Sequence, residues 1–218
     1  SAPVCFLDLG AGRFAALTSV QEGVPARFYR VVRQPPCASD RSLLINEAMT
    51  DNESAHPDPD GDFSDWIEIR NAGAEPLQLR DYSLSDDPAD PARWRLPPCS
   101  LEPGACLLVF ASGKDRIEEG VPFHTNFRLR TGQETLLLAC PDGTVIDQIE
   151  PGPLPPDESL GRDPDDPGSW YVFPAAHVTP GEANPSPALA RARPFVEAPR
   201  FSLAAGFYSQ SLVLALSS

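Results

Sequence analysis

The chain has 218 residues, 26 of them proline and 15 glycine, with 41% hydrophobic content. A formal charge of −14 and a pI near 4.5 argue against a nucleic-acid partner, because such a surface repels phosphate backbones. The proline load excludes long helices, since each proline removes a backbone donor and clashes with the preceding turn. Residues 1–40 carry "RFAALTSV" and "ARFYRVVR", two strand patterns joined by "QEGVP". They read as the end of a preceding β module or as an extra hairpin. From "SLLINEAM" onward strands follow closely. "DWIEIRN" alternates, with Trp66, Glu68 and Arg70 on one side and Ile67 and Ile69 on the other. "LQLRDYSLSD" and "ARWRLP" continue the pattern, and "LEPGACLLVFAS" is a turn running into a continuous apolar strand. "FRLRTGQETLLLACPDGTVIDQIE" holds three strands separated by two turns. Turn signals recur about every ten residues, the spacing of an antiparallel sandwich or barrel. After Glu150 the chain turns irregular, with a short "ESLGRD" strand and aromatics at Trp170, Tyr171 and Phe173. Residues 186–198 read as a proline-stiffened linker.

The chain opens in mid-pattern on "PVCFLDLG" and closes on strand-like "SLVLALSS", as a piece cut from a longer protein would. It shows no signal peptide and no apolar run of transmembrane length, so membrane insertion is not expected. Lys114 is the only lysine. The five cysteines form no CxxC pair and there are only three histidines, which argues against a structural zinc site.

The motifs "INEAMTDN", "DGDFSDWIEIRN", "LSDDPADPARWRLP", "LEPGACLLVFASGKDR", "HTNFRLRTGQETLLLACPDGTVID", "SLGRDPDD" and "TPGEAN" stand in an order that resembles a bacterial lamin tail domain, over about residues 42–185. The resemblance implies an all-β, immunoglobulin-like antiparallel β-sandwich, used as a module in large exported or cell-surface proteins. Residues 199–218, "PRFSLAAGFYSQSLVLALSS", resemble the opening of the β-sandwich module at the C-terminus of chitobiases and hexosaminidases, truncated after a strand or two.

The acidic loop at residues 56–71, "HPDPDGDFSDWIEIRN", is the first candidate site. Asp58, Asp60 and Asp62 alternate as calcium ligands do, with Asp65 close behind. The EF-hand pattern is broken, however. Gly61 precedes the third acid instead of following it, and the twelfth position counted from Asp58 is Ile69. The other reading is a capped, solvated turn. Calcium is the only cofactor the sequence suggests. Asp86, Asp87 and Asp90 read as a second turn with Asp-Pro steps. Trp170 and Tyr171 are candidate sugar-stacking aromatics, whereas Trp66 and Trp94 read as core. His124 reads as a hydrogen-bonded structural residue, and no GxSxG or HExxH motif is present. Asn52 begins an "NES" sequon, without meaning in a bacterial protein. Cys5 with Cys37 across the N-terminal hairpin, and Cys106 with either Cys140 or Cys99, are candidate disulfides.

These features point to a non-catalytic, exported interaction or spacer module whose partner is a protein or cell-surface polymer. The rival readings are a calcium- or carbohydrate-binding accessory module and a hydrolase fragment. The hydrolase would need a convergent His–Asp or dicarboxylate cluster.

Overall fold

The computed structural model describes residues 42–118, 120–130, 135–190 and 192–195, with five short strands outside them. The chain divides into two units, Ser1–Pro36 and Cys37–Ser218. In the first, Cys5–Asp8 (β1), Phe14–Leu17 (β2) and Tyr29–Val31 (β3) form an antiparallel sheet with β2 at its centre. In the β2–β3 pairing Phe14 lies opposite Val31.

The second unit runs β4 (Leu43–Met49), β5 (Trp66–Asn71), β6 (Leu77–Gln78), β7 (Ser83–Ser85), β8 (Trp94–Arg95), β9 (Ser100–Leu101) and β10 (Cys106–Phe110). There follow β11 (Phe123–His124), β12 (Leu136–Ala139), β13 (Val145–Ile149), β14 (Ser159–Arg162), β15 (Trp170–Phe173), β16 (Arg193–Pro194), β17 (Arg200–Phe201) and β18 (Leu216–Ser217). Among the described residues, helix is limited to single turns at Ala175–His177 and Pro187–Ala190.

One sheet has the order β11-β10-β5-β4-β14-β15-β16 and the other β13-β12-β7-β8. All pairings are antiparallel except the two-residue β10–β11 contact. The protein is thus an immunoglobulin-like β-sandwich, as the motif order implied. Alternation explains the core: Ile67 and Ile69 of β5, with Leu43 and Ile45 of β4, share one buried cluster with Leu84, Leu136 and Leu138 of the other sheet. Each such side chain contributes roughly 1.5–3 kcal/mol on burial. On the opposite face of the large sheet Trp66 packs with Met49 and Phe110 in a smaller cluster. Trp66 and Trp94 are both core residues, as read from the sequence.

One irregularity redirects chemistry. In the β4–β5 ladder Ile45 opposes Ile69 and Glu47 opposes Glu68, so Asn46 is an extra residue in a β-bulge. Strict alternation from Ile45 would turn Glu47 into the hydrophobic interior. The bulge turns it instead to the face that carries Glu68.

Cys99 and Cys106 are free thiols, so neither bridge expected at Cys106 forms. Cys106 lies on β10 of the seven-stranded sheet, whereas Cys140 follows β12 of the other sheet, so the two strands are not neighbours. Cys140 is not among the free thiols and does not titrate. The expected Cys5–Cys37 pairing falls outside the described residues, as do most of residues 199–218.

Candidate functional site

The acidic loop folds around Asp58, which is buried. One carboxylate oxygen accepts the amides of Asp60 at 2.9 Å and Asp62 at 3.1 Å, and the other accepts the Ser64 hydroxyl at 3.1 Å. Gly61, at φ +87°, makes the tight reversal that brings these amides back onto Asp58. Asn52 closes the loop from behind. Its side-chain amide donates to the carbonyls of His56 (2.7 Å) and Ser64 (2.8 Å), so the sequon asparagine is a buried brace.

Asp58, Asp60 and Asp62 bring carboxylate oxygens within 4.8 Å of one another, a spacing that suits a cation. The cation among them is the ammonium of Lys114, 2.5 Å from Asp58, 2.6 Å from Asp60 and 2.9 Å from Asp62. Arg116 adds a second ion pair to Asp60. Asp65 stands apart from the cluster and accepts the Asn52 amide at 3.0 Å. Burial pushes the Asp58 carboxyl upward, but Lys114, the two amides and Ser64 outweigh it and hold it below the usual carboxylate range. Arg116 and then Lys114 hold Asp60 far below that range. Burial works against the Lys114 charge, yet the three carboxylates raise its pKa well above that of an ordinary lysine. These depressed carboxyls give stability that is present above about pH 4 and lost as pH falls through their folded-state values.

His124 lies on the inner side of this loop, buried and stacked on Phe110 with ring centroids 5.2 Å apart. Ser112 Oγ is 2.8 Å and Asp58 Oδ2 4.0 Å from the same ring nitrogen, Nδ1. A nucleophilic triad needs the hydroxyl and the acid on opposite nitrogens, so that the imidazole passes a proton between them. This trio has no such relay, and Ser112 is itself buried. Burial lowers the His124 pKa, which favours the neutral ring.

Trp170 and Tyr171 are consecutive on β15 and so face opposite sides of the sheet, which rules out one shared stacking platform. Trp170 borders an open groove of about 760 Å³ that also includes Leu43, Val145, Gln148 and Gly168. One face of its ring carries the Arg162 guanidinium, 4.2 Å from the ring centroid. Arg162 is a hub. Its Nε donates to the carbonyl of Ile45 at 2.7 Å, Nη1 donates to the carbonyl of Pro167, and Nη2 binds both oxygens of Asp147 at 2.8 and 2.7 Å. Asp147 in turn accepts the Ile45 amide at 2.8 Å. β14 pairs with β4 only at Leu160–Ala48 and Gly161–Glu47. Beyond that point the Arg162–Asp147 pair replaces the missing strand, serving both backbone groups of Ile45.

Two acids pushed strongly upward are ones to which the sequence reading gave no role. Glu47 and Glu68 lie side by side on the outer face of the sheet, both buried. Segment 178–184, which contains the "TPGEAN" motif, covers them. Glu47 accepts the Ser159 hydroxyl and, at 3.3 Å, the Thr179 hydroxyl. Glu68 accepts the Gly181 amide at 2.6 Å and the Asn46 side chain at 2.7 Å. Asn184 accepts from Asn46 at 3.0 Å and donates to the carbonyl of Arg162 at 2.8 Å. Burial pushes Glu47 up to about 8 and Glu68 up to about 7. Burial, and then the Glu68 charge, push the free Cys106 thiol well up, so it stays protonated. The only sequence signal for this cluster was the set of motifs "INEAM", "WIEIR" and "TPGEAN", whose acids and amides had no assigned role.

Gly161 lies beneath this segment. A Cβ there would stand 2.6 Å from Asn184 Nδ2 and 2.9 Å from the Phe173 ring. Gly161→Ala is therefore expected to cost about 1–3 kcal/mol through overpacking, read as a lower urea midpoint at unchanged slope.

A model of the Lamin Tail Domain family matches residues 36–153. That is more than half of the chain, and the protein belongs to this family. The family is one of non-catalytic, immunoglobulin-like modules. No curated protein and no solved structure gives a significant match. The sheet itself continues beyond the matched residues, because β14 pairs with β4 and β15 with β14.

Proposed function

We propose that the protein serves as a non-catalytic interaction or spacer module within a larger exported or cell-surface protein, with a protein or surface polymer as partner. The observation that carries this reading is what the polar candidates do. Asp58, Asp60 and Asp62 close on Lys114, Asp65 and Asn52 brace a loop, and Ser112 and Asp58 address one nitrogen of His124. Catalysis asks for such groups to converge on open space, and these converge on one another. The likeness of residues 199–218 to a glycosidase accessory module supports a place in a chain of modules, and the lamin tail resemblance supports export. A panel of phosphodiester, glycoside and peptide substrates, run with calcium, magnesium and zinc, is expected to show no turnover. Turnover that disappears in His124→Ala would reverse the reading in favour of a hydrolase.

The acidic loop suits a fastening between residues 58–62 and the 114–116 segment better than a calcium site, because the ammonium already holds the cation position. The Trp170 groove suits a strut better than a sugar platform, because Arg162 covers one ring face and Asp147 is fully engaged.

A further inference from the structure

We propose that Glu47 and Glu68 form a proton-dependent latch that holds segment 178–184 against the sheet while the pair retains a proton and releases it when both carboxylates are ionised. The geometry has three parts. The pair is brought together by the Asn46 bulge and lies buried on the outer face of the sheet. The segment is held to it directly, through Thr179 on Glu47 and Gly181 on Glu68. The segment also fills the space over Gly161, where Asn184 makes its bonds to Asn46 and Arg162.

No cation faces the pair at hydrogen-bond distance among the described residues. From β5, Arg70 acts on Glu68 only through its charge, and its Nε has no hydrogen-bond partner. From β10 comes the Cys106 thiol, and from β14 the neutral Ser159 hydroxyl. Arg162, also on β14, is directed to Ile45, Pro167 and Asp147. The segment itself contributes Thr179 and Gly181 as donors, and its one charged residue, Glu182, is an exposed acid. One retained proton makes the pair a mono-anion that these neutral donors can satisfy. Loss of that proton leaves two like charges in a site shielded from water.

The sign follows. Carboxyls raised in the folded state give stability that is full below about pH 4.5 and lost as pH rises through about 7 and 8. Lifting the segment is the shortest route by which water reaches both carboxylates, so the loss falls first on the segment and frees the linker beyond it.

Amide hydrogen exchange on the whole chain tests this. Between about pH 6 and pH 9, protection of the Thr179 and Gly181 amides, corrected for intrinsic base catalysis, is expected to fall at least about tenfold. Protection at Ile67 and Val109 is expected to hold over the same range. In Glu68→Gln the fall should shrink severalfold. A pH-independent protection, an equal fall at the core amides, or an undiminished fall in Glu68→Gln overturns the latch. Carboxyl-carbon titration of the native chain reads the pair without any substitution. Both groups titrating near the ordinary glutamate value would equally overturn it.

Discussion

Arg162→Met is expected to cost about 3–5 kcal/mol, the penalty for leaving one member of a largely buried ion pair alone. Asp147 would lose both guanidinium contacts, and the carbonyls of Ile45 and Pro167 would lose their donor. The Arg162 and Asp147 side chains are only 11% and 16% exposed, so water compensates little. Thermal unfolding should fall by about 10 °C at the roughly 2–4 °C per kcal/mol of a domain this size. Arg162→Lys should recover only part of the loss, because an ammonium lacks the planar fork that reaches two carbonyls and a carboxylate at once. Arg193 is the control. Its pair with Glu158 has the arginine 61% exposed, so Arg193→Met should cost under about 1 kcal/mol. Equal losses at the two positions would mean that Arg162 does not replace the missing strand.

Lys114→Met is expected to produce the second large effect, about 2 kcal/mol at low ionic strength. Asp58 has no exposed side-chain surface, and without Lys114 it would retain only the Asp60 and Asp62 amides and the Ser64 hydroxyl. The ammonium is itself 21% exposed, which keeps the cost below that of a fully buried pair. Three carboxylates would then share Arg116 alone, and moderate salt should restore part of the stability by screening their repulsion. Melting temperatures of the native chain and the variant at low and moderate salt check this. A variant as stable as the native chain at low salt would deny the ammonium its bracing role.

Much of the sandwich was legible because it rests on short-range rules. Alternation in "DWIEIRN" set Ile67 and Ile69 on the side opposite Glu68, and the Asp58 cap follows from an aspartate at a turn start. What stayed hidden depends on contacts far apart in sequence. Asp58 and Lys114 are separated by 56 positions, and no local pattern joins them. The solitary lysine after a glycine turn was the available clue. Glu47 lies opposite Glu68 only because of the bulge at Asn46, and a two-residue period read without a bulge sends it the wrong way. Cys106 opens one apolar strand and Cys140 follows another of similar appearance, yet the two strands belong to different sheets. Trp170 and Tyr171 looked like one aromatic patch because adjacency in sequence is not adjacency on a strand face.

Calcium titration of the native chain and of Lys114→Met, followed by calorimetry and by melting temperature, tests most directly whether the acidic loop is a lysine-filled brace. The native chain is expected to show no stabilisation in millimolar calcium, because a divalent ion would have to displace an ammonium bound by three carboxylates. The variant should gain calcium-dependent stability by mass action, and Asp60→Ala added to it should remove that gain. A native chain whose melting temperature rises in calcium, falls back with chelator and loses the response in Asp60→Ala would contradict this reading and make the loop a metal site.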